Sequence, residues 1–391
     1  MEKDAIINTG LRGITVASTR ISDVRGKAGK LIYRGYPIRD LAEKSGFEEI
    51  VHLLLYESLP SAARLEKLKN ELKTARSLPD AVIRALETCP ADARPMDILQ
   101  AGVALMAPHD PDLQDESREA TLRMGIRLIA RMATLVAAWE RIRNGKQPLE
   151  PDPGLDHAAN FLYMLSGKRP DEETAGCFDT ALVLHAEHSF NASTFSARQV
   201  ASTKAHIYSA VTAALGSLSG PLHGGANVRV MRMLEQIGTP EKVEAYVENI
   251  LDQGRKIMGL GHAVYKTDDP RALILAPMAR RMAEKAGETK WFEMARLLEQ
   301  KGKQAFKARK GTDIFVNVDF YSAVLYNAMA IPVDLFTPLF AISRIAGWTA
   351  HVLEERFAEA APKPMLYRPE SEYIGHYCGP DECSFVPLEK R

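Results

Sequence analysis

Two histidines flanked by glycines are the first residues in this sequence whose type and setting suit chemistry. His223 stands in Pro221-Leu222-His223-Gly224-Gly225-Ala226-Asn227, and His262 in Gly259-Leu260-Gly261-His262-Ala263-Val264-Tyr265. The run after His223 becomes helical near Ala226 and continues through Val230, Met231 and Leu234, which places His223 at a helix N-terminus. There the positive end of the helix dipole disfavours an imidazolium, and a neutral imidazole N–H can donate to a carbonyl oxygen. Such a donor stabilises an enolate. The plain alternative is a histidine in a turn whose glycines serve backbone angles. His262 is followed nine residues later by Arg271 in Asp269-Pro270-Arg271, where Pro270 predicts a helix start and the arginine suits an anionic ligand. The Gly259-x-Gly261 pattern lacks the third glycine and preceding strand of a dinucleotide fingerprint.

Asp319, in Asn317-Val318-Asp319-Phe320-Tyr321-Ser322, heads an apolar helix through Val324, Leu325 and Met329. A carboxylate among aromatic rings has a raised pKa and can act as a base, but aspartate is also a favoured helix cap, and both readings stand. His185 and His188 lie three apart on one helical face with no third ligand at helical spacing, so a substrate contact or a core role is expected rather than a metal site. Arg344 and Arg368 stand alone, and by themselves read as surface or salt-bridge residues.

The elements that must position these groups are helical. Apolar residues recur at helical spacing through most of the 391 residues, and few stretches alternate long enough for a sheet. Phe47 to Tyr56 and Arg118 to Arg143 predict core helices, the second closed by Asn144-Gly145. Thr239-Pro240-Glu241 opens another that should end at Gly254. The fold class is all-α, with Ile14-Thr15-Val16 and Leu31-Ile32-Tyr33 as a minor N-terminal β ribbon. An apolar content of 46% and 50 basic residues balanced by 50 acidic ones argue for a soluble globular protein and against a nucleic-acid binder. No run approaches the roughly 18 apolar residues of a membrane span. The charged start Met1-Glu2-Lys3-Asp4 has no secretory pattern, so a cytoplasmic location is expected. Cys89, Cys177, Cys378 and Cys383 are too scattered for a disulfide framework or zinc site.

Taken in order, these segments resemble the citrate synthase family across nearly the whole chain. The resemblance is carried by Tyr33-Arg34-Gly35-Tyr36-Pro37-Ile38-Arg39-Asp40-Leu41, by His188-Ser189-Phe190-Asn191-Ala192-Ser193-Thr194-Phe195, and by Gly220 to Asn227. It continues through Gly261-His262, Asp269-Pro270-Arg271, Asn317 to Ser322 and Arg368-Pro369. It implies a large helical domain from 1–224 and 332–391 that holds oxaloacetate and dimerises, and a smaller helical domain, 225–331, that holds acyl-CoA and closes over the substrates. It also implies His223, His262 and Asp319 as the catalytic trio. By the same likeness His188, His223, His262, Arg271, Arg344 and Arg368 bind oxaloacetate, with Arg368 reaching the partner's active site in a homodimer. Planar guanidinium groups hold carboxylates bidentately and stay charged when desolvated, which suits a dicarboxylate.

The implied reaction joins acetyl-CoA to oxaloacetate and hydrolyses citryl-CoA, at the entry to the tricarboxylic acid cycle, with no cofactor or metal. A 2-methylcitrate synthase using propionyl-CoA shares the motifs and is the alternative; a non-catalytic ligand-binding relative would be free to lose the trio, which is intact here. Lys256, Gly259, Gly261, Lys266 and Lys310 are the expected coenzyme A contacts. Against the family pattern, Lys310 to Asn317 is one residue longer and lacks a proline. Leu260 replaces an aromatic, and Ala263 and Glu370 stand where many relatives have arginine.

Overall fold

The computed structural model describes residues 9–11, 13–375 and 387–390; Met1 to Asp4, Cys378 and Cys383 lie outside them. Three short antiparallel strands come first, β1 (Ser22–Arg25), β2 (Lys30–Tyr33) and β3 (Tyr36–Pro37), in the order β1-β2-β3. Ser22 pairs with Tyr33 and Ile32 with Pro37. Leu31 to Tyr33 is thus a strand as predicted, but its partner is Ser22–Arg25 and not Ile14 to Val16, which forms no strand. The reason is local: the tight turn from Gly26 to Gly29, whose last residue is left-handed at φ 60°, brings β1 directly back onto β2. The polar Asp23 and Arg25 hid β1 from hydropathy.

Sixteen α-helices make up the rest of the described fold. They are α1 (Ile38–Lys44), α2 (Phe47–Tyr56), α3 (Ala62–Thr74), α4 (Asp80–Glu87), α5 (Pro95–Met106), α6 (Arg118–Arg143), α7 (His157–Ser166) and α8 (Glu172–His185), followed by α9 (Ala192–Ala201), α10 (Ile207–Ser219), α11 (Ala226–Ile237), α12 (Val243–Asp252), α13 (Pro270–Ala286), α14 (Lys290–Lys310), α15 (Val318–Ala328) and α16 (Phe336–Arg356). Helices α2 and α6 have the predicted bounds. The turn at Thr239 opens on a short 3-10 segment, Pro240–Lys242, before α12 begins.

The centre of the molecule is α16. Every one of its residues except Phe340 is buried, so it is a helix packed on all sides and not an amphipathic surface helix. It crosses α6 closely enough that a Cβ on Gly125 would lie 2.3 Å from Thr349, and it also packs on α8, α9 and α10. This position lets one helix deliver Arg344, Trp348 and His351 to the interior. Helices α11 to α15 pack chiefly on one another, α13 and α11 on α15 and α12 on α14, and they carry the loops of His262 and Asp319. No helix of the described residues is long and apolar enough to cross a membrane.

Candidate active site

The turn that carries His223 is closed by backbone bonds from His223 N–H and Gly224 N–H to Gly220 O, at 3.0 and 2.9 Å. Both glycines after it are required. A Cβ on Gly224 would stand 1.8 Å from Leu218 O, and Gly225, with φ 70°, is the left-handed cap of α11. The backbone N–H of Ser193 donates to His223 Nε2 at 3.2 Å, with Ser193 Oγ 2.9 Å away. A backbone N–H has no other role than donor, so Nε2 is the acceptor and the ring proton is on Nδ1. Ser193 is itself fixed: its hydroxyl donates to Asn191 Oδ1 at 2.7 Å and accepts from Trp348 Nε1 at 3.2 Å. Burial, then the Arg344 cation, bring the His223 pKa down to about 4. The neutral histidine predicted from the helix dipole is present, but burial and a nearby charge hold it neutral.

His262 has the opposite tautomer. Val264 N–H and Tyr265 N–H both donate to its Nδ1, at 2.9 and 3.1 Å, which leaves the proton on Nε2. Burial and then Arg271 bring its pKa to about 4. The segment before it is paired to the segment before Asp319. Leu260 bridges Val316, Gly261 N–H donates to Phe315 O at 2.7 Å, and Asn317 N–H donates to Gly259 O at 3.0 Å. The longer, proline-free approach to Asp319 thus supplies donors and acceptors to the His262 loop, and it fixes two site residues relative to each other. Gly259, φ 80°, owes its identity to packing, since a Cβ would lie 2.5 Å from the Phe320 ring.

Asp319 is not the helix cap. The cap of α15 is Asn317, whose side chain accepts from Asp319 N–H at 3.1 Å, so the Asp319 carboxylate is released from capping. It lines the cavity, and burial, opposed by Arg271 and reinforced by Asp269, raises its pKa to about 6. That is the value of a base ionised at neutral pH but more avid for a proton than an ordinary carboxylate.

These three side chains line one cavity of about 670 Å³, together with His188, Arg271, Arg344 and Arg229. Arg271 is held by Asp269 through two bonds of 3.0 and 2.7 Å. Arg344 is fully buried, donates Nε to His185 O at 2.7 Å and lies over the Phe340 ring at 4.5 Å, while its Nη2 has no hydrogen-bond partner among the described residues. It forms no ion pair among the described residues, and burial lowers its pKa to about 10. A buried cation that faces the cavity with an N–H left over suits a substrate carboxylate. His188 Nε2 meets Tyr265 OH at 3.2 Å, and burial and the two arginines push its pKa well below the usual range. His185 is a core histidine, its Nδ1 bonded to Ala181 O at 2.7 Å. No group of three or more His, Cys, Asp or Glu among the described residues is arranged to hold a metal.

Other predicted residues lie apart. Lys266 borders an adjoining cavity of about 380 Å³ shared with Gly261, His262 and Phe315, whereas Lys256 and Lys310 are exposed and border neither cavity. Arg368 is exposed on the extended C-terminal segment and does not line the cavity of its own chain. Ser193, Trp348, Arg229 and Tyr265 were not singled out in the sequence. Ser193 supports His223 across 30 residues of chain and Trp348 supports Ser193 across 155, which no local pattern marks.

The family profile described as "Citrate synthase, C-terminal domain" matches residues 10–370. The chain is 43% identical to the citrate synthase of Haloferax volcanii, covering 98% of this chain and 99% of that one. It is 37% identical to 2-methylcitrate synthase 2 of Corynebacterium glutamicum, covering 98% of each. Its fold superposes with a TM-score of 0.89 on the citrate synthase of Thermoplasma acidophilum in ternary complex with carboxymethyl coenzyme A and oxaloacetate. That protein is 33% identical, with 98% of this chain and 99% of that one covered.

Proposed function

The chain belongs to the citrate synthase family, and on that premise we propose that it condenses acetyl-CoA with oxaloacetate and hydrolyses the citryl-CoA to citrate and CoA. The observation that carries the reading is one cavity holding a carboxylate of raised pKa, two neutral histidines of opposite tautomer and an unpaired buried arginine. Asp319 takes a proton from the acetyl methyl group while His223 Nδ1–H donates to the thioester oxygen. The acid is too weak for a carboxylate alone, so the two act together. His262 Nε2–H donates to the ketone oxygen of oxaloacetate, and as the enolate carbon forms its bond to that carbon the alkoxide takes the proton. A neutral imidazole is a weak acid, matched to a strongly basic alkoxide. Water then cleaves the thioester, and no step calls on a resident cofactor.

Arg344 and Arg271 hold the oxaloacetate carboxylates beside His188. The helices that carry His262 and Asp319 pack mainly among themselves, which supports closure of the 225–331 unit over the substrates. Its exposed basic residues, Lys256, Lys266 and Lys310, remain the candidates for coenzyme A phosphates, Lys266 having the best position. These substrates are intracellular metabolites, which supports a cytoplasmic location. Acetyl over propionyl is supported by the higher identity to a citrate synthase than to a 2-methylcitrate synthase. One methylene is worth only about 1–3 kcal/mol, so the test is kinetic. With oxaloacetate, kcat/KM for acetyl-CoA should exceed that for propionyl-CoA by about 10-fold or more, with citrate and CoA formed in equal amounts. A preference for propionyl-CoA overturns the acyl assignment.

A homodimer is supported by the C-terminal segment, which exposes Met365, Leu366 and Ile374 around Arg368 in the single chain. In the dimer Arg368 would complete the partner's oxaloacetate site. Mixing two inactive variants, Arg368→Ala and Asp319→Ala, under subunit exchange should restore roughly a quarter of the native activity, because half the dimers are mixed and one of their two sites is whole. No recovery despite exchange would place Arg368 outside the partner's site.

A further inference from the structure

Behind the turn that carries His188 lies a group of buried charges that the condensation chemistry does not use. Glu187 and His351 are completely enclosed, and Arg198 and Glu354 almost so. Glu187 Oε1 accepts from His351 Nε2 at 3.0 Å, from Ser22 Oγ at 2.9 Å and from the backbone N–H of Ser189. Arg198 Nη1 donates to His351 Nδ1 at 2.9 Å and to Glu354 Oε2 at 2.7 Å, while Nη2 meets Glu355 at 2.6 Å. A guanidinium only donates, so His351 Nδ1 accepts and its proton on Nε2 faces Glu187. Tyr367 O–H then donates to Glu355 Oε2 at 3.0 Å.

The two ends of this chain are the informative parts. At one end Ser189, with φ 51°, holds a left-handed conformation uncommon for a residue with a Cβ, and its N–H is pinned by Glu187. Ser189 and Phe190 are part of the cavity wall, and the Phe190 ring is held edge-on by His351 at 5.5 Å and capped by Arg198 at 4.5 Å. At the other end Tyr367 is the residue before Arg368. Buried ion networks are a weak source of stability compared with apolar packing, so a role in placement explains this one better.

We infer that the chain Glu187–His351–Arg198–Glu355–Tyr367 positions the His188–Phe190 wall and ties it to the Arg368 segment, coupling one subunit's pocket to the arginine it lends its partner. This rests on the reading of the cavity as the oxaloacetate site and of Arg368 as the partner's ligand. Glu187, His351 and Tyr367 are positioning residues that touch no substrate.

The test separates oxaloacetate from acetyl-CoA. His351→Leu should raise KM for oxaloacetate about 10-fold with KM for acetyl-CoA within about twofold, and His351→Gln, which can accept from Arg198 and donate to Glu187, should recover most of the loss. Tyr367→Phe should raise KM for oxaloacetate about threefold, and the Tyr367→Phe/His351→Leu pair should be no worse than His351→Leu alone, as for one connected unit. Unchanged KM for oxaloacetate in folded variants, or effects that multiply, overturns the inference. If His351→Leu does not fold, Tyr367→Phe and Glu355→Gln decide by the same KM reading and the same cycle. Arg368→Ala is the control for the parent reading. If it leaves oxaloacetate binding untouched, that reading fails; if it impairs binding while Tyr367→Phe is silent, only the link fails.

Discussion

Asp319→Asn is expected to lower kcat by about 10²–10⁴-fold, the range for removing a positioned general base, with oxaloacetate affinity retained. Asparagine keeps the shape and the helix start, because the cap of α15 is Asn317. The variant should also be more stable than the native chain. The folded carboxyl has its pKa raised from 3.8 to about 6, so above about pH 6 its charge opposes folding, and below 3.8 it does not. An uncharged isostere removes that cost, about 1–3 kcal/mol at neutral pH, and a higher Tm by calorimetry together with lost turnover is the expected pair. The same pKa sets the acid limb of activity. The base works only when ionised, so kcat/KM should fall with unit slope as pH drops through about 6. His223 and His262, held to about 4, stay neutral across that limb and contribute no inflection of their own. The limb should be absent from the residual activity of Asp319→Asn.

Arg344→Met should have the second largest effect, weakening binding while leaving stability equal or higher. The loss of a desolvated carboxylate partner typically costs 2–5 kcal/mol, so KM for oxaloacetate should rise by about 10²–10³-fold, measured with acetyl-CoA saturating. In the empty protein, however, Arg344 is a buried cation with an unpartnered Nη2 and no ion pair among the described residues. Its pKa falls from 12.5 to about 10, so its charge destabilises the fold at every pH below about 10, and the cost disappears only as pH rises through that value toward 12.5. Methionine fills similar volume without that charge. The empty variant should therefore melt at least as high as the native protein, while oxaloacetate, which raises the native Tm by binding, should leave the variant's Tm unmoved. A variant that melts lower and still responds to oxaloacetate would place the carboxylate elsewhere.

How far the site could be read in advance depended on how local each constraint is. Gly224, Gly225 and Gly261 answer to neighbours in the chain, a backbone carbonyl at Leu218 and left-handed angles at Gly225 and Gly261, so they stand out in the sequence. The ambiguity at Asp319 needed one hydrogen bond to resolve it, the one in which Asn317 takes the capping role. Tautomers were out of reach, because they follow from donors elsewhere: Ser193 N–H for His223, and the Val264 and Tyr265 N–H groups for His262. The helix dipole correctly favoured a neutral His223 but was not its main cause, since burial beside Arg344 dominates. The helical fold itself was plain from periodicity. The polar strand Ser22–Arg25 was not, because its pairing depends on a turn and not on alternation.

In the proposed condensation Asp319 removes the acetyl proton while the neutral His223 holds the developing enolate. Exchange of the acetyl-CoA methyl protons into D2O tests it directly when the pocket is occupied by malate, a dicarboxylate whose hydroxyl replaces the ketone, so that the enolate forms but finds no electrophile. The native protein should incorporate deuterium, and Asp319→Asn should do so at least about 10²-fold more slowly. Exchange in Asp319→Asn at the native rate would mean that another group removes the proton.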